Sequence, residues 1–376
     1  MNILLVNWQD LDHPQAGGAE IHLFEIFGRL AERGHRVRLV CCGWRGSSRT
    51  AHLGGIDIER SGTRATFALV GRRAVRRAIR REPPDIMVED INKLPLYLAT
   101  LTELPMCVIV PHLFGATAFR EASWPVATLV WLSERAIPRV YRRAGFHAIS
   151  ESTRDDLVRR GVPRERIQMI HPGVDTAHYT PDPSVHRSSP PAFLYVGRLK
   201  RYKGVELAIR ALALAREERS DLTLQIAGDG GDRRRLQKLV ARLGLSEGVK
   251  FHGRVSEAEK IRLFRSSWAN LFPSPKEGWG ITVMEAAACG TPSLASDSPG
   301  LRDSVRDGTT GFLVAHGDAT ALAQRMLEFA SDRSLVERFG AAARQHAVRM
   351  GWEGAADRTE AHLETLIRGA ASGSSS

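Results

Sequence analysis

One pattern restricts this chain more than any other: a strand, a glycine turn and a helix, met twice. MNILLVNWQD opens with an apolar strand over 2–7. A polar loop follows and closes on Gly17-Gly18. The next stretch, AEIHLFEIFGRLAERGH, sets Ile21, Phe24, Phe27 and Leu30 on one helical face and stops at Gly34. VRLVCC, Val37–Cys42, is then a second strand. A strand joined to the next through a helix is a crossover, so the two strands run parallel. The scheme restarts at Phe193–Val196, passes through GRLKRYKG into a helix over Val205–Arg216, and reaches another strand at Leu222–Ala227.

The proline-rich run HPGVDTAHYTPDPSVHRSSPP separates the two series. The predicted organisation is a Rossmann-like domain over 1–170, a linker over 171–191 and a second Rossmann-like domain over 192–350. A helix over 351–368 is expected to cross back to the first domain, and a serine-rich disordered tail over 369–376 ends the chain. The fold class is α/β: two doubly wound parallel sheets, with strand C-terminal ends facing a cleft. A chain of 376 residues is long enough for two such cores.

The remaining elements follow from periodicity. Strands are expected at Asp85–Val88, Met106–Val110, Phe146–Ile149, Lys250–His252, Ala269–Phe272 and Ser293–Ala295. Helices are expected at Val70–Arg81, Trp124–Arg143, from Arg154 onward, Arg233–Leu243, Glu257–Ser266 and Ile281–Ala288. Three more follow, at Ala319–Ala330, Leu335–Met350 and Trp352–Arg368.

The formal charge of +11 suits an acidic partner. It is spread along the chain, and no helix-turn-helix, finger or aromatic RNA motif accompanies it, so nucleic acid is not the expected partner. Cys41, Cys42, Cys107 and Cys289 match no zinc or redox spacing and are expected to be reduced and buried, as in a cytoplasmic protein. The first strand lacks the basic lead of a signal peptide, and no apolar run is long enough to span a membrane.

Three stretches carry chemistry. In VGRLKRYKG, Gly197 ends a strand, and Arg198 and Lys203 leave the sheet where α/β proteins hold ligands. A guanidinium fork and an ammonium suit a diphosphate. IAGDGGD places Gly228 at the end of the next strand. PSPKEGWGITVMEAAACGTP holds Glu277 and Glu285 with seven residues between them. Gly278 and Gly280 allow close backbone approach, and the amides from Ile281 and Thr282 open a helix whose start attracts phosphate. Carboxylates repel phosphate but accept hydrogen bonds from sugar hydroxyls. Two of them flanking a phosphate nest fit a nucleotide diphosphate sugar.

GGAE (Gly17–Glu20), HPGVD (His171–Asp175), GRLKRYKG (Gly197–Gly204), AGDG (Ala227–Gly230), FHGRVSEAEK (Phe251–Lys260) and E-x7-E (Glu277 to Glu285) occur here in that order. In this the chain resembles the retaining GT-B glycosyltransferases of family 4, the group that includes phosphatidylinositol mannosyltransferases. The resemblance implies that Glu277 contacts donor-sugar hydroxyls and Glu285 the ribose. It implies that Arg198 and Lys203 bind the diphosphate, that Arg254 and Val255 lie at the base, and that Gly17 and Gly18 sit beside the diphosphate. It also implies a histidine near the reacting sugar; His112, in PHLFG after the strand Met106–Val110, is the candidate, with His22 a second acceptor-side candidate. No DxD motif is found, EDIN at Glu89–Asn92 not being one, so transfer without metal or other cofactor is expected, with retention of configuration.

The donor is open between GDP-mannose and a UDP-hexose. The acceptor is expected to be a sugar or lipid-linked glycan. Arg72, Arg73, Arg76, Arg77, Arg80 and Arg81 on one helix, and Trp124, Trp131 and Tyr141 with Arg135, Arg139, Arg142 and Arg143 on another, suit peripheral contact with an anionic membrane. Competing readings are a nucleotide-sugar epimerase or hydrolase of the same fold and, in another class, a basic nucleic-acid-binding protein.

Overall fold

A computed structural model describes residues 1–117, 119 and 123–373. The chain forms two compact units. The first is Met1–Gly173 together with the stretch from Trp352, and the second is Val174–Gly351.

The first unit holds β1 (Asn2–Val6), β2 (Arg36–Gly43), β3 (Thr50–Leu53), β4 (Ile56–Thr63), β5 (Ile86–Asp90), β6 (Met106–Val110), β7 (Gly145–Ala148) and β8 (Ile167–Met169). They lie in the order β3-β4-β2-β1-β5-β6-β7-β8. Every pairing is parallel except the β3–β4 hairpin. Helices α1 (Gly18–Glu32), α2 (Phe67–Arg81), α3 (Trp124–Val140) and α4 (Glu151–Arg159) are joined by the C-terminal helix (Trp352–Gly373). The central strands are short apolar runs because both faces of the sheet are covered.

Several elements depart from the expectation. β5 starts at Ile86 and runs to Asp90, which brings Glu89 and Asp90 into the sheet. β3, β4 and β8 were not anticipated. β4 shows the alternating burial of a half-covered strand, and β8 has only three residues. Helix α4 starts at Glu151, earlier than Arg154, because the Ser150 hydroxyl accepts from the Thr153 N–H at 3.2 Å and caps it there. The C-terminal helix continues through Gly373; residues 374–376 of the expected disordered tail lie outside the described residues.

The C-terminal helix docks on α1 in two layers. Outside, Arg33 reaches Glu353, Asp357 and Glu360, and Arg29 reaches Glu353, all at 2.7–2.8 Å. Exposed pairs of this kind contribute little each. Inside, His22 is 3% exposed, with its ring 5.4 Å from His147 and 6.1 Å from Trp352, both buried.

The second unit holds β9 (Ala192–Val196), β10 (Thr223–Ala227), β11 (Val249–Gly253), β12 (Ala269–Phe272), β13 (Ser293–Asp297) and β14 (Gly311–Ala315), all parallel, in the order β11-β10-β9-β12-β13-β14. Its helices are α5 (Val205–Glu218), α6 (Arg233–Arg242), α7 (Glu257–Ser266), α8 (Ile281–Ala288), α9 (Leu301–Ser304), α10 (Ala319–Ser331) and α11 (Arg333–Val348). β14 and α9 were not anticipated. The core is built from Phe193, Tyr195, Leu212, Leu224, Leu271 and the ring cluster Phe312, Phe329 and Phe339. The four cysteines are free and buried.

Burial lowers the His22 pKa from an ordinary 6.5 to about 4 and moves His147 the same way. The unfolded chain therefore binds protons that the folded one refuses, and stability falls as pH drops from 6.5 toward 4. The loss traceable to His22 is expected to be on the order of 3 kcal/mol. Urea denaturation at pH 7.5 and 4.5 should show His22→Leu losing less stability than the parent between the two conditions.

Candidate functional site

In the second sheet the chain moves from β9 to β10 on one side, and from β12 to β13 on the other. The loops after Val196 and Phe272 therefore part at the strand C-terminal edge and leave a crevice there. The first loop ends in a tight turn, Arg201–Lys203, and Gly204. Gly204 has φ 68°, and a Cβ on it would lie 2.1 Å from the Pro273 carbonyl oxygen, so only glycine lets the two loops approach this closely.

Lys203 crosses between them. Its Nζ donates to both Oε atoms of Glu277, at 2.6 and 2.8 Å, and both side chains are largely covered. Beside this pair α8 begins at Ile281, entered through Gly280 at φ 95°. Among the described residues the N–H groups of Ile281 and Thr282 find no acceptor, so the helix start offers two donors to a ligand. Thr282 and Gly278 are half-buried.

Glu285 lies on the second turn of α8, 6% exposed. Lys260 Nζ is 3.1 Å from its Oε2 and 3.0 Å from Glu257. The Tyr179 hydroxyl donates to Glu257 at 2.6 Å, with its ring centroid 5.0 Å from the same ammonium. Burial pushes the Glu285 carboxyl above its ordinary value, and Lys260 works against that. Glu277 is thus paired with Lys203, and Glu285 lies beside an ammonium that it shares with Glu257.

The other expected donor residues sit on the same edge in different ways. Arg198 is exposed, its guanidinium 3.5 Å from the Tyr202 hydroxyl, and meets no carboxylate among the described residues. Gly197 and Gly228 contact one another: a Cβ on Gly228 would lie 1.9 Å from the Gly197 carbonyl oxygen. The absence of a side chain at 228 therefore has a packing reason. Arg254 is exposed and Val255 half-buried, just beyond β11, two strands from β9. Lys260, Glu257 and Tyr179 were not singled out. Lys260 lies inside FHGRVSEAEK at helical spacing from Glu257, which was a usable signal; Tyr179, in the proline-rich run, carried none.

In the first unit, the Gly17 N–H donates to Glu20 Oε2 at 2.7 Å and Gly18 is the first residue of α1. His112 lies two residues past β6, half-buried, its ring 5.0 Å from Phe114. His22 does not fit an acceptor-contacting role. It points into the layer beneath the C-terminal helix, buried against His147 and Trp352. Of the α2 arginines, Arg72 is tied to the Leu96 and Tyr97 carbonyls and Arg77 and Arg81 to Glu59. Apolar side chains are instead exposed on α3: Trp124 (75%), Leu129 (57%) and Leu132 (54%).

A cationic and acidic edge of this kind on doubly wound sheets defines a nucleotide-binding α/β protein, and comparison with known proteins narrows it. The description Glycosyltransferase Family 4 matches residues 16–178, and Glycosyl transferases group 1 matches 180–346. The chain belongs to glycosyltransferase family 4, with the GT-B fold. A D-inositol 3-phosphate glycosyltransferase of Streptomyces avermitilis is 34% identical over 225 residues, 54% of this chain and 48% of that protein. One from Acidothermus cellulolyticus is 28% identical over 423 aligned positions, 93% of this chain and 87% of that protein. The chain spans about half the length of most of these relatives. Among solved structures, sucrose-phosphate synthase from Thermosynechococcus elongatus superposes with a TM-score of 0.84 at 21% identity, covering 98% of this chain and 99% of that one. Anabaena Alr3699/HepE, solved in complex with UDP and glucose, gives 0.79 at 20% identity, over 97% and 100%.

Removing the ammonium at the crossing point should be felt by a diphosphate and not by a monophosphate. Lys203→Ala is expected to weaken UDP or GDP binding by roughly tenfold or more, while UMP or GMP binding changes little; titration calorimetry with the four nucleotides checks it.

Proposed function

We propose that the chain is a retaining, metal-independent glycosyltransferase that moves a hexosyl group from a nucleotide diphosphate sugar to an acceptor hydroxyl. The observation that carries this reading is the Lys203–Glu277 pair beside the open start of α8. Such an edge offers positive charge and N–H donors to a diphosphate, and a carboxylate to the hydroxyls next to it. Glu285 with Lys260 suits the ribose on the other side. The fold neighbour crystallised with UDP and glucose supports a uridine nucleotide as the first donor to try.

In this reading the bond from the anomeric carbon to the phosphate oxygen breaks, and its electron pair stays on the departing diphosphate. Lys203, Arg198 and the N–H groups of Ile281 and Thr282 stabilise that charge where it develops. The acceptor oxygen bonds to the anomeric carbon on the face the phosphate leaves, and its proton passes to the phosphate oxygen. Glu277 orients the sugar by accepting from its hydroxyls and forms no bond to carbon. In this reading His112, two residues past β6, is the histidine that takes part in the reaction. The name of the relatives, D-inositol 3-phosphate glycosyltransferase, favours a small polyol acceptor alongside a lipid-linked one.

The exposed Trp124, Leu129 and Leu132 of α3, with Arg135 stacked 4.4 Å from the Trp131 ring, favour peripheral attachment to an anionic bilayer. No helix among the described residues is long and apolar enough to cross one.

Nucleoside diphosphate release from UDP-glucose and GDP-mannose should rise several-fold when a polyol-phosphate or lipid-linked sugar acceptor is added, and should survive EDTA. Release independent of acceptor marks a hydrolase, a changed sugar on an intact nucleotide sugar marks an epimerase, and activity restored only by Mn²⁺ rejects the metal-free step. The chain should float with liposomes containing anionic lipid at low salt, and Trp124→Ala with Leu129→Ala should reduce that fraction; no flotation at low salt rejects the attachment.

A further inference from the structure

We propose that Glu134 is a positioning residue for His112: its buried carboxylate takes the N–H groups of Phe114 and Gly115, just past the histidine, and so fixes where the imidazole stands. The proposal rests on the reading above, in which His112 takes part in the transfer, and adds the group that sets its place.

His112 sits on the loop after β6, and the backbone on both sides of it is tied down. Before it, the Pro111 carbonyl accepts from the Thr153 hydroxyl of α4 at 3.0 Å. After it, Leu113 is 2% exposed and packs into the core of the first unit. The N–H groups of Phe114 and Gly115 then donate to the two oxygens of Glu134, at 2.6 and 2.8 Å. The Phe114 carbonyl closes the loop by accepting from the Thr117 hydroxyl at 2.6 Å. His112 itself is half-buried. Two helices, α3 and α4, therefore hold the backbone that carries the imidazole.

Glu134 lies well inside α3 and is 1% exposed. A hydroxyl or an amide closes a turn at far less desolvation cost than a carboxylate does. What the carboxylate adds is geometry. A hydroxyl cap takes one N–H, whereas two coplanar oxygens take two and leave the loop a single orientation. Arg160, just past α4, stands 3.4 Å from Glu134 Oε2 and is itself 3.2 Å from Asp156. Gly115 has φ 55°, and a Cβ on it would lie 3.1 Å from the Arg160 guanidinium, so glycine lets loop, carboxylate and guanidinium close on one another. The loop after β5 is fixed by the same device: Glu89 takes the Leu96 and Leu98 N–H groups at 2.6 and 3.1 Å. Of the two loops, only the one after β6 carries a histidine.

The test uses the full chain. Histidine labelled with ¹³C at Cε1 gives a ring signal for each of the thirteen histidines, and His112→Asn identifies the one from His112. Glu134→Gln keeps one acceptor oxygen and loses the other. It should move or split the His112 signal and leave those of His22 and His147, beneath the C-terminal helix, in place. Turnover is followed with whichever of UDP-glucose and GDP-mannose the parent uses. Glu134→Gln should lower kcat by roughly tenfold or more while donor KM stays within about twofold. Glu134→Gln combined with His112→Asn should be no slower than His112→Asn alone, because the first acts through the second. If Glu134→Gln does not fold, Arg160→Met, which removes only the guanidinium beside the same carboxylate, should give a smaller change in the same direction. An unmoved His112 signal, a loss of kcat that adds to that of His112→Asn, or a raised KM at unchanged kcat each overturns the role. A parent that turns over neither donor rejects instead the reading on which the role rests, and the ring signal then decides whether Glu134 sets the histidine's place.

Discussion

Parallel strands force all their outgoing loops to one edge, and where strand order reverses those loops must part. Everything functional in this chain depends on that constraint. It operates twice, between β9 and β12 and between β1 and β5. The second unit exploits it with charge: Lys203 and Glu277 come from loops separated by some seventy residues of chain and meet at 2.6 Å because their strands are neighbours. The first unit exploits it with burial, setting Asp90 where no protein group reaches its oxygens.

The two edges are chemically opposite. At the β9–β12 edge each glutamate already lies beside an ammonium, and the unspent capacity is in donors: helix-start N–H groups and an exposed Arg198. Such a surface gains most from an anion with hydroxyls attached. At the β1–β5 edge the unpartnered groups are acceptors, the Asp90 oxygens, and these are buried.

Much of this was legible before any coordinates. Strands such as Met106–Val110 and Ala269–Phe272 and helices such as Glu257–Ser266 and Ile281–Ala288 coincide with the expected bounds, since a buried parallel strand is a short apolar run and its helix a clear stripe. The edge strands β3, β8 and β14 escaped because three to five residues have too little pattern of their own, and the eight-residue β4 because its second half is polar. The end of β5 escaped for another reason. Glu89 and Asp90 are charged, and nothing local says that a strand will bury them.

By itself the sequence determined the class of fold, the two-unit organisation and which lysine, glutamate and glycine residues line the strand-end edge of the second sheet. Apolar period, glycine position and residue type are local properties, and strand–turn–helix units admit one handedness of crossover. Only the tertiary structure decided which groups are spent and which are free. It gave Lys203 to Glu277 and Lys260 to Glu285 and Glu257 together, sent His22 into the layer beneath the C-terminal helix, and left Asp90 without donors. Partnership and burial are set by residues far apart in the chain, and no spacing within a motif encodes them.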